Sequence, residues 1–170
     1  MGIIAAGFVL VALAGCGYHA LGTATHLPPD AQTLAVPVFA TRTNTYHTEV
    51  AMTDAVVHEF AARTTLRVVP DAGSDPDVVL HGTILQEAVV PLTYNTSTQQ
   101  SSSYLITLVA SVQMTARDGK VLYENKHYVY REQYQSTTDL TTFLDESPAA
   151  VKRLSQDFAR ALVADVVEGL

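Results

Sequence analysis

The residues best suited to catalysis or metal binding are six histidines and one cysteine, and their spacing assembles no site. No two histidines stand four residues apart, the spacing that places a pair of zinc ligands on one face of a helix. The sequence also lacks the glycine-flanked serine of hydrolases and the glycine-rich loop that cradles phosphates. It therefore predicts neither an enzyme nor a metal site. The histidines are His19, His26, His47, His58, His81 and His127.

Two short charged clusters have the composition of ion-binding sites. Asp75 and Asp77 flank Pro76, but the remaining ligands of a calcium loop are missing, which favours a turn capped by acidic side chains. The segment Arg117-Asp118-Gly119-Lys120 predicts a hairpin turn of two or three residues with two cations at its tip. Such a tip usually keeps a strand edge soluble, and the alternative is a cationic point that faces an anionic headgroup.

Cys16 has no second cysteine with which to form a disulfide or share a metal. It follows an uncharged, mostly apolar run over residues 1–15, which is shorter than the ~20 residues of a membrane-spanning helix. This pattern predicts a signal peptide over residues 1–15, although the usual positive charges at its start are missing. The alternative is a buried free cysteine in an N-terminal helix.

The segment Leu13-Ala14-Gly15-Cys16 resembles the bacterial lipobox. The resemblance implies that Cys16 becomes the first mature residue and carries a diacylglycerol and an N-acyl chain such as palmitate, which together anchor a protein lastingly in a membrane. Gly17, rather than an aspartate, follows the cysteine and favours sorting to the outer membrane.

The charge of the chain excludes one class of partner. The formal net charge is −7, and only ten of the 170 residues are lysine or arginine, scattered along the chain. A protein that binds nucleic acid needs a basic footprint to release counterions, and a peripheral helix on anionic lipid needs a basic face. We therefore expect no nucleic-acid partner.

The N-terminal half of the chain predicts three strands and one helix. Residues 33–39 alternate like a strand, and Pro37 removes a backbone donor, so we expect an edge strand. Residues 47–63 have the periodicity of a helix. Its two apolar stripes are Val50, Val57 and Ala61, and beside them Met52, Val56 and Phe60. A short strand over 66–69 and a longer one over 77–90 follow.

The C-terminal half predicts a hairpin and a second helix. Residues 93–103 are polar and predict a mobile loop, or strand ends that order on a partner. Alternating residues from Tyr104 to Ala116 predict a strand, and the return strand covers 120–132. Ser147 and Pro148 predict the start of the last helix. Its apolar stripe is Val151, Leu154, Phe158, Leu162 and Val166.

The order of these elements predicts an α+β fold. Two helices with one apolar stripe each would cover one face of a mainly antiparallel, mixed sheet of about four strands, which makes a two-layer sandwich. The other face would be half polar and would face solvent or a partner. The predicted organisation is a signal peptide (1–15), an extended lipidated leader (16–31) and a single α+β domain (32–170).

Several short motifs, in this order, resemble the lipopolysaccharide-assembly lipoproteins of the LptE family. Cys16-Gly17-Tyr18 with Leu21-Gly22 is similar to the mature start of family members, although His19-Ala20 departs from the usual pattern. The segment from Leu34 to Phe39 (LAVPVF) resembles the family's Ile-Ala-Val-Pro-x-Phe strand. Residues 77–84 (DVVLHGTI) resemble its Ala-Asp-x-x-Leu-x-Gly-x-Ile strand.

The resemblance implies a non-enzymatic protein with no cofactor beyond the acyl chains on Cys16. It implies an outer-membrane lipoprotein that plugs the β-barrel of an LptD-like lipopolysaccharide translocon. Such a protein helps the barrel fold and assists delivery of lipopolysaccharide to the outer leaflet, with its domain within the barrel or on the periplasmic side. The predicted contacts with lipopolysaccharide are four basic residues: Arg117, Lys120, Lys126 and Arg131.

Two other classes of protein remain open on sequence alone. The first is an outer-membrane lipoprotein that scaffolds or activates a cell-wall enzyme, because a lipobox followed by a small sandwich is a generic design. The second is a hydrolase whose site is assembled from scattered residues, for which no nucleophile–base spacing is visible.

Overall fold

The structure is a computed structural model, and it describes residues 26–43, 48–69, 73, 75–95, 100–137, 144–145 and 147–169. The predicted signal peptide, Cys16 and the rest of the leader up to residue 25 lie outside the described residues. Lipidation at Cys16 therefore stays a prediction.

Two helices and seven strands are present in the described residues. The helices are α1 (Thr48–Arg63) and α2 (Ser147–Glu168). The strands are β1 (Thr33–Ala35), β2 (Ala40–Thr41), β3 (Arg67–Val69), β4 (Val78–Asn95), β5 (Gln100–Ala116), β6 (Val121–Thr137) and β7 (Leu144–Asp145).

The strands form one mixed sheet in the order β3-β1-β4-β5-β6-β7, and β2 pairs with β4. The three long strands β4, β5 and β6 form an antiparallel meander. The short strands pair in parallel: β1 with β3 and with β4, and β2 with β4. The predicted mixed, mainly antiparallel sheet is confirmed. The predicted count of about four strands is low because β2 and β7, with two residues each, are too short to give an alternating pattern.

Both helices pack on one face of the sheet, and the core lies between these two layers, as predicted. The alternation along β5 is confirmed, because Ile106, Leu108, Ala110, Val112 and Met114 are all buried. In α2 the predicted stripe buries Leu154, Phe158, Leu162 and Val166, and Val151 packs partly against the core. The burial of a side chain as large as Phe158 typically contributes about 1.5–3 kcal/mol.

The buried side of α1 is formed by the second of its two predicted apolar stripes. Met52, Val56 and Phe60 are fully buried, whereas Val50 is 41% exposed and Ala61 lies at the surface. The expectation that Val50 and Ala61 face the core is wrong. Both stripes have helical spacing, and the helix turns its larger side chains toward the sheet because they fill the space between the layers.

A glycine within β4 lets α1 and α2 close on the sheet. A Cβ atom on Gly82 would lie 2.3 Å from the ring of Phe39, so only a glycine fits beneath this ring. The Phe39 ring in turn packs edge-to-face on Phe158 of α2, with 6.0 Å between ring centroids. The two motifs that resemble LptE-family strands, LAVPVF and DVVLHGTI, thus contact each other through Phe39 and Gly82.

The expected edge strand over residues 33–39 is not at an edge. β1 ends at Ala35 and lies inside the sheet, where Leu34 pairs with Val68 of β3 and with Val78 of β4. Pro37 follows the end of the strand, so its missing N–H interrupts no pairing. The outer strand on this side is β3.

The predicted loop over residues 93–103 is mostly strand. β4 runs to Asn95 and β5 begins at Gln100, and Thr93 is paired with Ser103. Antiparallel pairing satisfies the backbone hydrogen bonds of polar residues without burying apolar surface. The low hydrophobicity of this segment therefore suggested a loop where strands form. Residues 96–99 lie outside the described residues.

The hairpin between β5 and β6 is confirmed, and its loop has three residues. The N–H of Gly119 donates to the C=O of Ala116 at 2.9 Å, and the N–H of Ala116 donates to the C=O of Lys120 at 2.8 Å. Gly119 has a φ of 83°, the left-handed conformation that such loops require at this position. We call Arg117, Asp118, Gly119 and Lys120 the hairpin tip.

Candidate functional site

The first described residues of the chain, 26–31, are fixed to the domain, and we call them the leader end. The N–H of His26 donates to the C=O of Val166 on α2 at 3.0 Å. The His26 ring packs edge-to-face on Tyr123 of β6, with centroids 5.2 Å apart. Leu27 packs against the core. The chain that continues from the predicted lipidation site therefore enters the domain between the end of α2 and the start of β6.

Asp77 joins the start of β1 to the hairpin tip. Its Oδ2 atom accepts hydrogen bonds from the N–H groups of Gln32 and Thr33, both at 2.9 Å, and from the Thr33 hydroxyl at 2.8 Å. Its Oδ1 atom pairs with the guanidinium of Arg117 at 2.9 Å. The hydrogen bonds from Gln32 and Thr33 hold the pKa of Asp77 below its ordinary value. Asp77 therefore acts as a structural carboxylate.

The charge of Arg117 is largely neutralised by its neighbours. Besides Asp77, its guanidinium pairs with the Asp75 carboxylate at 3.4 Å and donates to the Asp75 C=O at 2.9 Å. Asp75 has a φ of 52°, a left-handed conformation that aspartate tolerates in turns. These contacts match a turn held by acidic side chains, the interpretation that the sequence favoured over a calcium loop.

A cavity of about 600 Å³ lies between the leader end and the hairpin tip. A second cavity of about 410 Å³ adjoins it, and the two share Pro28, Lys120 and Leu122. Within the described residues the ammonium of Lys120 makes no ion pair, so its charge is available to a ligand. The larger cavity is lined by Pro28, Asp30, Ala31, Asp77, Ala116, Arg117, Asp118, Lys120 and Leu122.

The four basic residues predicted to contact lipopolysaccharide are not brought together. Lys126 is exposed and pairs with Glu124 at 3.4 Å. Arg131 is exposed, stands opposite Thr107 of β5, and makes no ion pair among the described residues. At the rise of a strand, Arg131 lies roughly 30 Å along β6 from the hairpin tip. Arg117 and Lys120 share one cavity, whereas Lys126 and Arg131 stand apart from it.

The face of the sheet opposite the helices is half polar, and we call it the uncovered face. Its central row in β5 is Thr107, Val109, Ser111 and Gln113, which alternates with the buried row of the same strand. In the described part of the chain both helices lie on the other face, so no helix covers these side chains, although Val109 is only 9% exposed. Their neighbours across the pairing are His81, Thr83, Gln86, Ala88, Glu124, Val129 and Arg131.

A cluster of two tyrosines and an aspartate, which the sequence did not reveal, joins α2 to β6. The Tyr128 hydroxyl donates to Oδ2 of Asp165 at 2.5 Å, and the Tyr123 hydroxyl donates to the same oxygen at 3.3 Å. Burial raises the pKa of both tyrosines, so they stay protonated and serve as donors. The one signal in the sequence is an acidic residue beside the apolar stripe of α2.

Two kinds of feature are missing from the residues that the structure describes. No three histidine, cysteine, aspartate or glutamate side chains are grouped so that they could hold a metal ion. No described helix is long and apolar enough to cross a membrane.

Several solved structures share this fold. A candidate lipoprotein from Caulobacter crescentus CB15 has a TM-score of 0.54 and 9% identity, over 77% of this chain and 87% of that one. Lipoprotein B from Nitrosomonas europaea has a TM-score of 0.52 and 11% identity, over 83% and 84%. A protein from Xanthomonas campestris has a TM-score of 0.50 and 15% identity, over 85% and 92%. At these identities the likeness is one of fold alone.

The family is shown by the sequence itself. The family model described as LptE, lipopolysaccharide-assembly, matches residues 31–166. The chain belongs to this family of lipopolysaccharide-assembly lipoproteins, which confirms the resemblance seen in its motifs. A search of curated proteins finds no match. The family consists of assembly factors associated with the outer membrane, rather than enzymes.

Proposed function

We propose that this protein occupies the β-barrel of an LptD-like lipopolysaccharide translocon, helps that barrel assemble, and assists delivery of lipopolysaccharide to the outer leaflet. Acyl chains on Cys16 would hold it at the outer membrane. Membership of the LptE family supports this role. The structural observation that carries the proposal is the uncovered face, which presents a half-polar surface along the whole meander.

The chemistry and length of the uncovered face suit the lumen of a barrel. Lumen walls are polar, and threonine, serine and glutamine side chains such as Thr107, Ser111 and Gln113 can exchange hydrogen bonds with them. A strand of 17 residues such as β5 is about 55 Å long. This exceeds the ~25 Å apolar band of an outer-membrane barrel, so the meander is long enough to reach through it.

Site-specific photocrosslinking in living cells tests this proposal. A benzophenone side chain at Gln113, an exposed position of the uncovered face in the central strand β5, should capture a large β-barrel protein in full-length lipidated protein. The same group at Asp118, at the hairpin tip, serves as the control, because the tip lies at the end of the domain where the leader enters. We expect strong capture of the barrel from Gln113 and little from Asp118.

The partner found in this experiment also tests the alternative function. A peptidoglycan synthase as the main captured protein would contradict the barrel proposal and would favour a lipoprotein that scaffolds or activates a cell-wall enzyme. Intact mass measurement of the membrane-extracted protein tests the anchor at Cys16 separately, since each acyl chain adds a defined mass.

For contact with lipopolysaccharide we propose Arg131 as the first of the four basic residues. Arg131 lies on the uncovered face, makes no ion pair among the described residues, and stands beside the apolar side chain of Val129, which is 36% exposed. A cation next to apolar surface suits a lipid that carries phosphates on an acylated sugar. Arg117 is neutralised by Asp75 and Asp77, Lys126 is paired with Glu124, and Lys120 shares its cavity with aspartates.

Charge-reversal variants distinguish the contributions of these basic residues to lipopolysaccharide binding. We expect Arg131→Glu to lower the amount of lipopolysaccharide that co-purifies with the full-length protein, and the double variant Arg117→Glu/Lys120→Glu to lower it less. Retention of lipopolysaccharide at the normal level in all these variants would contradict a role for the predicted basic residues.

A further inference from the structure

We propose that the cavity between the leader end and the hairpin tip binds the zwitterionic headgroup of phosphatidylethanolamine in the leaflet that carries the lipid anchor. The inference rests on the proposed attachment at Cys16, and it concerns a ligand other than lipopolysaccharide. Its basis is the position of the cavity, the charges that line it, and the apolar wall beside them.

The position of the cavity follows from the path of the chain. His26 lies ten positions after Cys16, and a fully extended chain over that distance spans at most about 35 Å. Pro28, Asp30 and Ala31, which line the cavity, follow directly after His26. The cavity is therefore built from the first described residues after the anchor, and it lies within reach of the bilayer surface.

The charges in the cavity match a zwitterion better than an anion. Lys120 offers one ammonium that makes no ion pair within the described residues, whereas Arg117 is already paired with Asp75 and Asp77. The carboxylates of Asp30 and Asp118 line the same cavity and make no ion pair there either. A phosphate can approach Lys120 while the ammonium of the same headgroup approaches a carboxylate. A purely anionic headgroup would meet repulsion from both aspartates.

The wall beside these charges is apolar. Pro28, Ala31 and Leu122 line the larger cavity, and Leu27, Pro29 and Val121 line the smaller one that adjoins it. Val121 is 48% exposed and adds apolar surface to this wall. Such a wall can receive the glycerol and the first methylene groups of a lipid while the headgroup contacts the charges. A cavity of about 600 Å³ falls within the usual range of ligand sites.

The test uses full-length lipidated protein in phosphatidylcholine vesicles that contain a trace of photoreactive lipid. The reactive lipid is phosphatidylethanolamine or phosphatidylglycerol, with a diazirine at the glycerol end of one acyl chain. After irradiation, mass spectrometry locates the labelled residues. We expect phosphatidylethanolamine to label residues 26–31 and 116–122 several-fold more strongly than phosphatidylglycerol does.

Two kinds of variant make the result specific. Lys120→Glu should lower labelling by phosphatidylethanolamine several-fold, whereas Lys126→Glu, in β6 and outside the cavity, should leave it unchanged. The double variant Asp30→Asn/Asp118→Asn should raise labelling by phosphatidylglycerol. Equal labelling of the cavity by both lipids, or equal losses in Lys120→Glu and Lys126→Glu, would overturn the proposal.

The same variants distinguish this inference from the proposed function. Lys120→Glu should still co-purify with the β-barrel partner, since Lys120 lies off the uncovered face. Loss of lipid labelling with an intact barrel complex supports the headgroup site. Wild-type protein that forms the barrel complex but shows no preference for phosphatidylethanolamine overturns the headgroup site alone.

Discussion

At the scale of single residues, this domain depends on a few contacts between positions far apart in the chain. Gly82 provides the space for the Phe39 ring. Asp77 accepts hydrogen bonds from Gln32 and Thr33, which lie 45 and 44 residues before it in the chain. Neither contact requires an unusual residue type, but each fixes how two elements meet. Substitutions at these residues should therefore affect the stability of the whole domain.

Gly82→Ala should destabilise the protein by about 1–3 kcal/mol, the usual cost of overpacking a core. The added Cβ would lie 2.3 Å from the Phe39 ring, which is itself held against Phe158. Urea denaturation measures the loss. Phe39→Leu in the same chain should recover part of it, because the smaller side chain makes room. Additive losses in the double variant would contradict the contact.

Asp77→Asn should destabilise the protein at neutral pH and much less in acid. The folded-state pKa of Asp77 lies below its ordinary value of 3.8, so the carboxylate stabilises the fold above that pH. This contribution is lost as the pH falls through the lowered pKa. The difference in urea midpoint between wild type and variant should therefore shrink below pH 3.8. Asp30→Asn, the control, should show only a small difference at neutral pH, since Asp30 makes no ion pair among the described residues.

At the scale of elements, the periodic segments were predictable from the sequence and the pairings were not. Alternation in β5 and the stripe of α2 follow from local spacing, and both are confirmed. The internal place of β1 depends on β3 and β4, which lie more than 30 residues further along the chain. Polar residues such as Thr93 and Ser103 form strands because their partner is present, which composition does not reveal.

The tyrosine–aspartate cluster is the polar connection between β6 and α2, and Tyr128→Phe tests it. The substitution removes a hydrogen bond to a charged carboxylate, which typically contributes about 1.5–3 kcal/mol. Hydrogen exchange should then become faster in the last turns of α2, around Asp165. In Tyr130→Phe, the matched control, we expect less than about 0.5 kcal/mol, since its hydroxyl makes no hydrogen bond in the described residues. Equal losses in the two variants would contradict this role.

At the scale of the whole molecule, the family could be recognised from the order of weak motifs, and the candidate sites only in part. The basic residues were visible in the sequence, but their neutralisation by Asp75, Asp77 and Glu124 depends on folding. The cavity at the leader end needs residues 28–31 and 116–122 to meet across the end of the sheet. The match over residues 31–166 places this arrangement in a lipopolysaccharide-assembly lipoprotein.

The internal place of β1 also determines how the domain responds to mechanical force. The leader leads directly into β1, and β1 is bonded on one side to β3 and on the other to β4. A pull along the leader therefore shears two rows of backbone hydrogen bonds at once, together with the bonds of Asp77 to Gln32 and Thr33. A terminal strand at a sheet edge would instead peel away one bond at a time. A domain tethered at this end would therefore resist tension through both neighbours of β1 at once.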